Sequence, residues 1–252
     1  MTAAAQVESA KFALDHLSHS QVQSYTICPR KWFYDKVMHA PKERVGSALI
    51  FGCAVHDALA ATNEAALNGT RIDASAAFLA AWKAQAAEAN APIHFGKDDA
   101  DDLLAKGRAL VTAYEPPSII IGVEQPFIVE LDPALPPVEG RIDLIRRIPE
   151  TGDLAIADLK TAASRLLTDT HAVEAQLALY DVAYPAAKHE VIVLGKLKTP
   201  TVTIQAITPW PKTQLVRHYK EVHAAMTAGI RYAVRGWACE GCSFADRCRK
   251  ES

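Results

Sequence analysis

The sequence predicts an α/β fold, a mixed-sheet core carrying a helical insertion. Three observations carry that expectation. Periodic segments run in the order helices, three strands, a helix, two strands and a helix. The texture changes at Glu115-Pro116-Pro117, from alanine-rich to β-branched. Between Val138 and Thr161, two apolar-rich runs flank Pro149-Glu150-Thr151-Gly152-Asp153, which has the composition of a turn, so this stretch reads as a β-hairpin.

Taken in order, residues 1–17 lack clear periodicity and are expected to be loosely ordered. Ser18 or Ser20 can cap a helix running to about Val37, with Val22, Tyr25, Trp32 and Phe33 on its apolar face. Cys28-Pro29 should kink or split it, because proline lacks a backbone donor and disfavours helix at the residue before it. Ala48–Leu67, Asp73–Glu88 and Lys97–Tyr114 are expected helices. The last part of the first, with the two that follow, forms the insertion of about residues 60–115. Ser118–Leu131 is an expected strand, and Asp132–Pro137 a proline-rich turn before the hairpin. A helix over His171–Tyr184, strands over Glu190–Lys198 and Thr201–Ile207, and a long helix over Lys212–Val234 complete the core. A cysteine-rich tail, 236–252, follows.

Length and composition narrow the function classes. A chain of 252 residues can form one large domain, here expected over 18–252. Half the residues are apolar and 22% are charged, as in ordinary globular proteins. No apolar run approaches the ~20 residues of a membrane span. The N-terminus lacks the pattern of a secretory signal, so a cytoplasmic location is expected. The net charge of −2 means that any nucleic acid must be held by local basic patches. Arg30, Lys31 and Lys36 form one such patch, and Arg247, Arg249 and Lys250 another.

The hairpin carries the chemistry. Asp143 lies in its first strand, and Asp158 with Lys160 in its second. Strand side chains alternate, so Asp158 and Lys160 share a face. A carboxylate on each of two adjacent strands, beside an ammonium, can hold a divalent cation and activate a water for phosphodiester hydrolysis. An isolated Asp-x-Lys is more often a solvated ion pair. Glu124 precedes a strand residue and could join the metal site, although a solvated strand-end charge is the more expected role. In the second helix, Gly52 leaves room for another backbone, one turn before His56. The five cysteines are an odd count without an export signal, which argues against a disulfide framework. Four of them, Cys28, Cys239, Cys242 and Cys248, could bind zinc or a 4Fe–4S cluster. Cys53 is expected to be a small buried residue.

Gly52-x-x-x-His56, Gly140-x-x-Asp143, Asp158-x-Lys160-Thr161 and Gln176-x-x-x-Tyr180 occur in that order. With Cys28 and Cys239-x-x-Cys242-x5-Cys248, the set resembles the PD-(D/E)XK nuclease superfamily, in its RecB-like iron–sulfur branch. That branch includes the AddB nuclease domain and the small exonucleases associated with CRISPR adaptation. The resemblance implies a restriction-endonuclease-like mixed sheet and a DNA exonuclease acting on single strands or ends. By the same resemblance, His56, Asp143, Asp158 and the Leu159 carbonyl would bind Mn²⁺ or Mg²⁺, and the imidazole favours Mn²⁺. Lys160 would orient the water or stabilise charge on the phosphate, and Gln176 and Tyr180 would position the DNA strand. The four cysteines would hold a structural 4Fe–4S cluster, preferred over zinc, stapling the tail to the first helix. Chains of the AddB kind carry a helicase region, absent from these residues, so a separate helicase, recombination or CRISPR-adaptation partner, or action alone like phage-borne relatives, is implied. The rival readings are an endonuclease or flap nuclease with the same site, and a non-catalytic DNA-binding protein with a Cys₄ zinc site.

Overall fold

The structure is a computed structural model and describes residues 14–251. Helix α1, His19–Ile27, starts where the Ser18 hydroxyl accepts from the Gln21 N–H. Pro29 then opens the short α2, Pro29–Trp32, which runs into a π-helical turn at Phe33–Val37. The break expected at Cys28-Pro29 is therefore present. Three helices follow: α3 (Ser47–Leu67), α4 (Ala74–Glu88) and α5 (Ala100–Thr112). Asp73 and Asp99 cap α4 and α5 through their carboxylates.

The sheet is mixed and has five strands in the order β1 (Ile120–Val129), β2 (Val138–Arg147), β3 (Leu154–Ala162), β4 (Lys188–Gly195) and β5 (Thr201–Ala206). All pairings are antiparallel except β3 with β4, which are joined through helix α6, His171–Ala183. Gly152, at φ 76°, closes the β2–β3 hairpin. One sheet face packs Leu144, Ala157, Leu159, Ile192 and Leu194 against α3–α5. The other packs Ile156, Val191 and Val193 against Val173, Leu177 and Tyr180 of α6.

The β2–β3 ladder is short. Its registered pairs run only from Leu144↔Ala157 to Arg147↔Leu154, so the strands part just beyond, at Asp143 and Asp158. On its other side, β2 takes up residues ahead of α1. Leu17 bridges Val138, donates to the Pro137 carbonyl and accepts from the Glu139 N–H. Leu17 is fully buried, which corrects the expectation of a loose start for residues 14–17; the rest of that stretch lies outside the described residues.

A third core joins the two ends of the sequence. Val22, Tyr25 and Trp32 pack with Leu215, Tyr219 and Met226 of helix α7 (Lys212–Thr227) and with Phe244. The α7 helix ends at Thr227 rather than Val234. Gly229 at φ 72° closes it, the Gly229 N–H reaching the Met226 carbonyl and the Ile230 N–H the Ala225 carbonyl. The tail ends in a short helix, α8, Ala245–Lys250. It is seated by Glu43, whose carboxylate accepts the Asp246 and Arg247 N–H groups, and by an Arg44–Asp246 ion pair.

Two helical glycines differ in kind. Each weakens its helix by about 0.5–1 kcal/mol relative to alanine. At Gly107 of α5, a Cβ would stand 2.0 Å from the fully buried Phe78 ring, so close packing explains the residue. At Gly52 of α3, the nearest atom to a Cβ would be Thr161 Oγ1 at 3.9 Å. Among the described residues no backbone approaches it, contrary to expectation.

Candidate active site

The site sits in the fork where β2 and β3 part. Asp143 no longer faces a backbone partner there. Its Oδ2 accepts the Leu159 N–H at 2.8 Å, so the side chain closes the top of the ladder. Leu144 and Ile145 point to opposite faces of the sheet, but Ile142 shares a face with Ile145, so the alternation breaks at Asp143. This lets the Asp143 carboxylate reach both α3 and α6. His56 Nε2 lies 3.1 Å from Oδ2, and the Tyr180 hydroxyl lies 3.5 Å from Oδ1.

Asp158 is fully buried. Lys160 Nζ stands 2.7 Å from its Oδ2, as the shared strand face predicts. Apart from that ion pair, neither Asp158 oxygen has a hydrogen-bond partner among the described residues. Lys160 donates to Gln176 Oε1 at 3.1 Å, and Gln176 Nε2 donates to the Tyr180 hydroxyl at 2.7 Å. Gln176 and Tyr180 therefore belong to one network with Lys160 and Asp143. Tyr180 is buried against Phe127, not part of a surface pair.

The sequence reading ranked a solvated charge above a metal-site role for Glu124, and the structure favours the second. It is not a strand-end charge; it lies within β1, at φ 48°, between Val123 and Gln125, whose partners on β2 are Leu144 and Ile142. Its Oε1 is 3.5 Å from His56 Nε2 and has no hydrogen-bond partner among the described residues. The left-handed backbone at a glutamate costs roughly 1–3 kcal/mol, a strain that clusters at functional positions. His56, Glu124 and Asp143 each offer a ligand atom within 4.8 Å of the others. The available signal was the pair of breakers Gly122 and Pro126 inside a β-branched run. Arg141 also turns toward Glu124, at 3.9 Å, rather than pairing with Asp143.

Electrostatics follow from this crowding. Burial alone would lower the His56 imidazole, but Asp143, Glu124 and Asp158 outweigh it and raise it to about 9. Burial pushes Asp143 up, yet His56, Lys160 and the Leu159 N–H hold it below the ordinary carboxylate range. Asp158, the most deeply buried, rises to about 6 although Lys160 pulls it down. Glu124 is also raised, chiefly by burial. Three carboxylates thus face one imidazolium and one ammonium, with acceptor oxygens on Asp158 and Glu124 left unsatisfied. Such a donor set, oxygens plus one imidazole, fits a divalent cation.

A sequence model of the PD-(D/E)XK nuclease superfamily matches residues 16–249. The chain belongs to that superfamily. Its mixed α/β architecture is consistent with a restriction-endonuclease-like fold. The crystal structure of a candidate exonuclease from Eubacterium rectale superposes on this nuclease-superfamily chain with a TM-score of 0.60 at 15% identity, covering 94% of this chain and 88% of that one. The structure of SSO0001 aligns with a TM-score of 0.41 at 13% identity, covering 89% and 95%. No curated protein matches the sequence. Metal-dependent nuclease chemistry is thus the class in which the PD-(D/E)XK site is to be read.

The remaining expected residues lie elsewhere. Cys28, Cys239, Cys242 and Cys248 all line one cavity of about 60 Å³, and none forms a disulfide. Arg30 and Lys31 line that same cavity, apart from the fork. Arg30 Nε donates to the Arg231 carbonyl. Cys53 is half-buried, not a core residue, and opens onto a groove beside His56. Among the described residues no helix is long and apolar enough to cross a membrane.

Proposed function

We propose that this protein is a metal-dependent DNA exonuclease acting on single strands or DNA ends. The observation that carries the reading is the fork itself. Two buried carboxylates lie where β2 and β3 part, one beside a lysine and the other beside a histidine. His56, Asp143 and Asp158, with the Leu159 carbonyl, would hold Mn²⁺ or Mg²⁺. Glu124 joins this set on its distance to His56. What such a cation supplies is Lewis acidity toward the phosphate and toward a water. The chain's own residues do the rest. Lys160, held by Gln176, stands where its ammonium can balance charge growing on the phosphate. Tyr180 and Gln176 fix that lysine and Asp143 from the α6 side. Burial of Asp158 keeps competing water from the carboxylate.

Cys28, Cys239, Cys242 and Cys248 line one cavity, which supports a shared ligand for the four thiols, and the RecB-like resemblance makes that ligand a structural 4Fe–4S cluster rather than zinc. Such a cluster belongs to a reducing, intracellular setting. Recombination, repair, CRISPR spacer processing and phage DNA processing are the pathways that fit an end-directed nuclease.

The test is cleavage of end-labelled single- and double-stranded DNA with Mn²⁺, with Mg²⁺ and with chelator, beside Asp158→Ala. Metal-dependent shortening from one end, absent in the variant, is expected. Cleavage of circular single strands would move the protein to the endonucleases, and full activity in Asp158→Ala would remove the proposed site. Anaerobically purified protein should be brown, absorbing near roughly 400 nm as iron–sulfur proteins do. A colourless, zinc-containing protein would overturn the cluster.

A further inference from the structure

Gly52 sits inside a 21-residue helix and weakens it, yet none of the described residues fills the space its missing side chain leaves. Gly107 is explained by Phe78; Gly52 has no such neighbour. The space it opens is the floor of a groove of about 350 Å³ between α3 and the ends of β3 and β4. Its walls are largely apolar, from Leu49, Leu159 and Leu194. One end reaches His56 and Lys160, the residues of the fork. Leu49 forms the rim and is 60% exposed, an unusual outlay of apolar surface beside a charged site.

We infer that this groove takes one unpaired nucleobase of the DNA strand, next to the phosphate held at the fork, and that Gly52 is the residue that admits it. The size fits a single nucleotide unit, since the volume lies near the lower end of the ~300–1,000 Å³ typical of small-ligand pockets. The chemistry fits as well. The mostly aliphatic walls offer a base an apolar face, and Asp57, Gln85 and Thr161 in the lining offer polar partners for its edge. A base held there has left its stack and its pair, so the groove selects single strands or frayed ends. Lys160, at the junction, is placed to meet the adjoining phosphate.

The inference rests on the nuclease reading above and adds its substrate class. Its test crosses two changes. Gly52→Leu fills the groove, and its Cβ meets nothing closer than 3.9 Å, so the melting temperature should not fall. Single strands of about 12 nucleotides are compared with the same strands made abasic throughout. Cleavage with Mn²⁺ and binding with chelator, by fluorescence anisotropy, are both measured. On normal strands, Gly52→Leu should be weaker roughly tenfold or more in binding and in kcat/KM, as expected for loss of one packed base. On abasic strands, the wild type should drop to the variant's level. Equal behaviour of the two proteins on normal strands would overturn the inference while leaving the nuclease standing. If the wild type cleaves nothing, the nuclease reading fails, and binding alone decides. A loss confined to normal strands then supports the base site, and equal binding removes it. Should Gly52→Leu melt lower, the neutral change Leu49→Ser at the exposed rim takes its place, with the same outcomes.

Discussion

Replacing Lys160 by methionine isolates the electrostatics of the fork. The change keeps an apolar stem and removes the ammonium that lies 2.7 Å from Asp158. Asp158 stays behind, fully buried, with no hydrogen-bond partner. Breaking a buried pair from one side costs about 3–5 kcal/mol. The lysine end is 36% exposed, so water screens part of the loss and the lower end applies, about 3 kcal/mol. For a chain of this size that is roughly a 6–12 °C fall in melting temperature. The pH dependence has a definite sign. Asp158 in the fold sits at about 6, above its ordinary 3.8, so its contribution is fully present below 3.8 and is lost as pH rises through 6. Removing Lys160 raises Asp158 further, and the variant holds its proton to higher pH. The deficit should therefore be small near pH 5, where Asp158 is largely protonated in both proteins, and full near pH 8. Mn²⁺ should shrink it, because a cation bound by the fold pairs the same carboxylates. Thermal melts of both proteins at the two pH values, with and without Mn²⁺, make the measurement. A deficit equal at pH 5 and pH 8 would refute the reasoning.

Three further outcomes are expected. Glu124→Gln should weaken Mn²⁺ binding by roughly tenfold or more in calorimetry, since it removes a charged oxygen beside His56; unchanged affinity would take Glu124 out of the cluster. Gly107→Ala should destabilise by about 1–3 kcal/mol despite its better helix propensity, because Phe78 is wedged between Phe51 and Trp82 and cannot yield; denaturant melts showing a gain would refute this. His19 has both ring nitrogens buried without hydrogen-bond partners among the described residues, and burial, then Lys160 and His218, lowers it to about 4. Its neutral form is retained above 6.5, so stability should fall as pH drops from 6.5 toward 4, by up to about 3 kcal/mol in total. His19→Leu should lack that acid sensitivity, and the alkaline window of His56, from 6.5 through about 9, does not overlap with it.

The element order along the chain and the hairpin were readable in the sequence because both are punctuated. Proline and glycine bracket most of the strands, and the hairpin reads as two apolar-rich runs about a turn. Asp158 and Lys160 could be placed on one face from period alone. Glu124 could not, since its position depends on a left-handed residue within a strand, a departure from period rather than an instance of it. The end of α7 was legible in principle. Gly229 is the left-handed cap that stops it, but the helical pattern beyond masked the signal. The empty space beside Gly52 depends on how α3 lies across β3, which no local pattern encodes.

The third core has a consequence for synthesis. Val22, Tyr25 and Trp32 find their partners in Leu215, Tyr219 and Phe244, roughly 200 residues later. At about 5–20 residues per second, the ribosome takes some 10–40 s to deliver those partners. Throughout that interval the first helices present uncovered apolar side chains to solvent. Yield in a foreign host should therefore depend on translation rate and on chaperone supply more than on the stability of the finished fold.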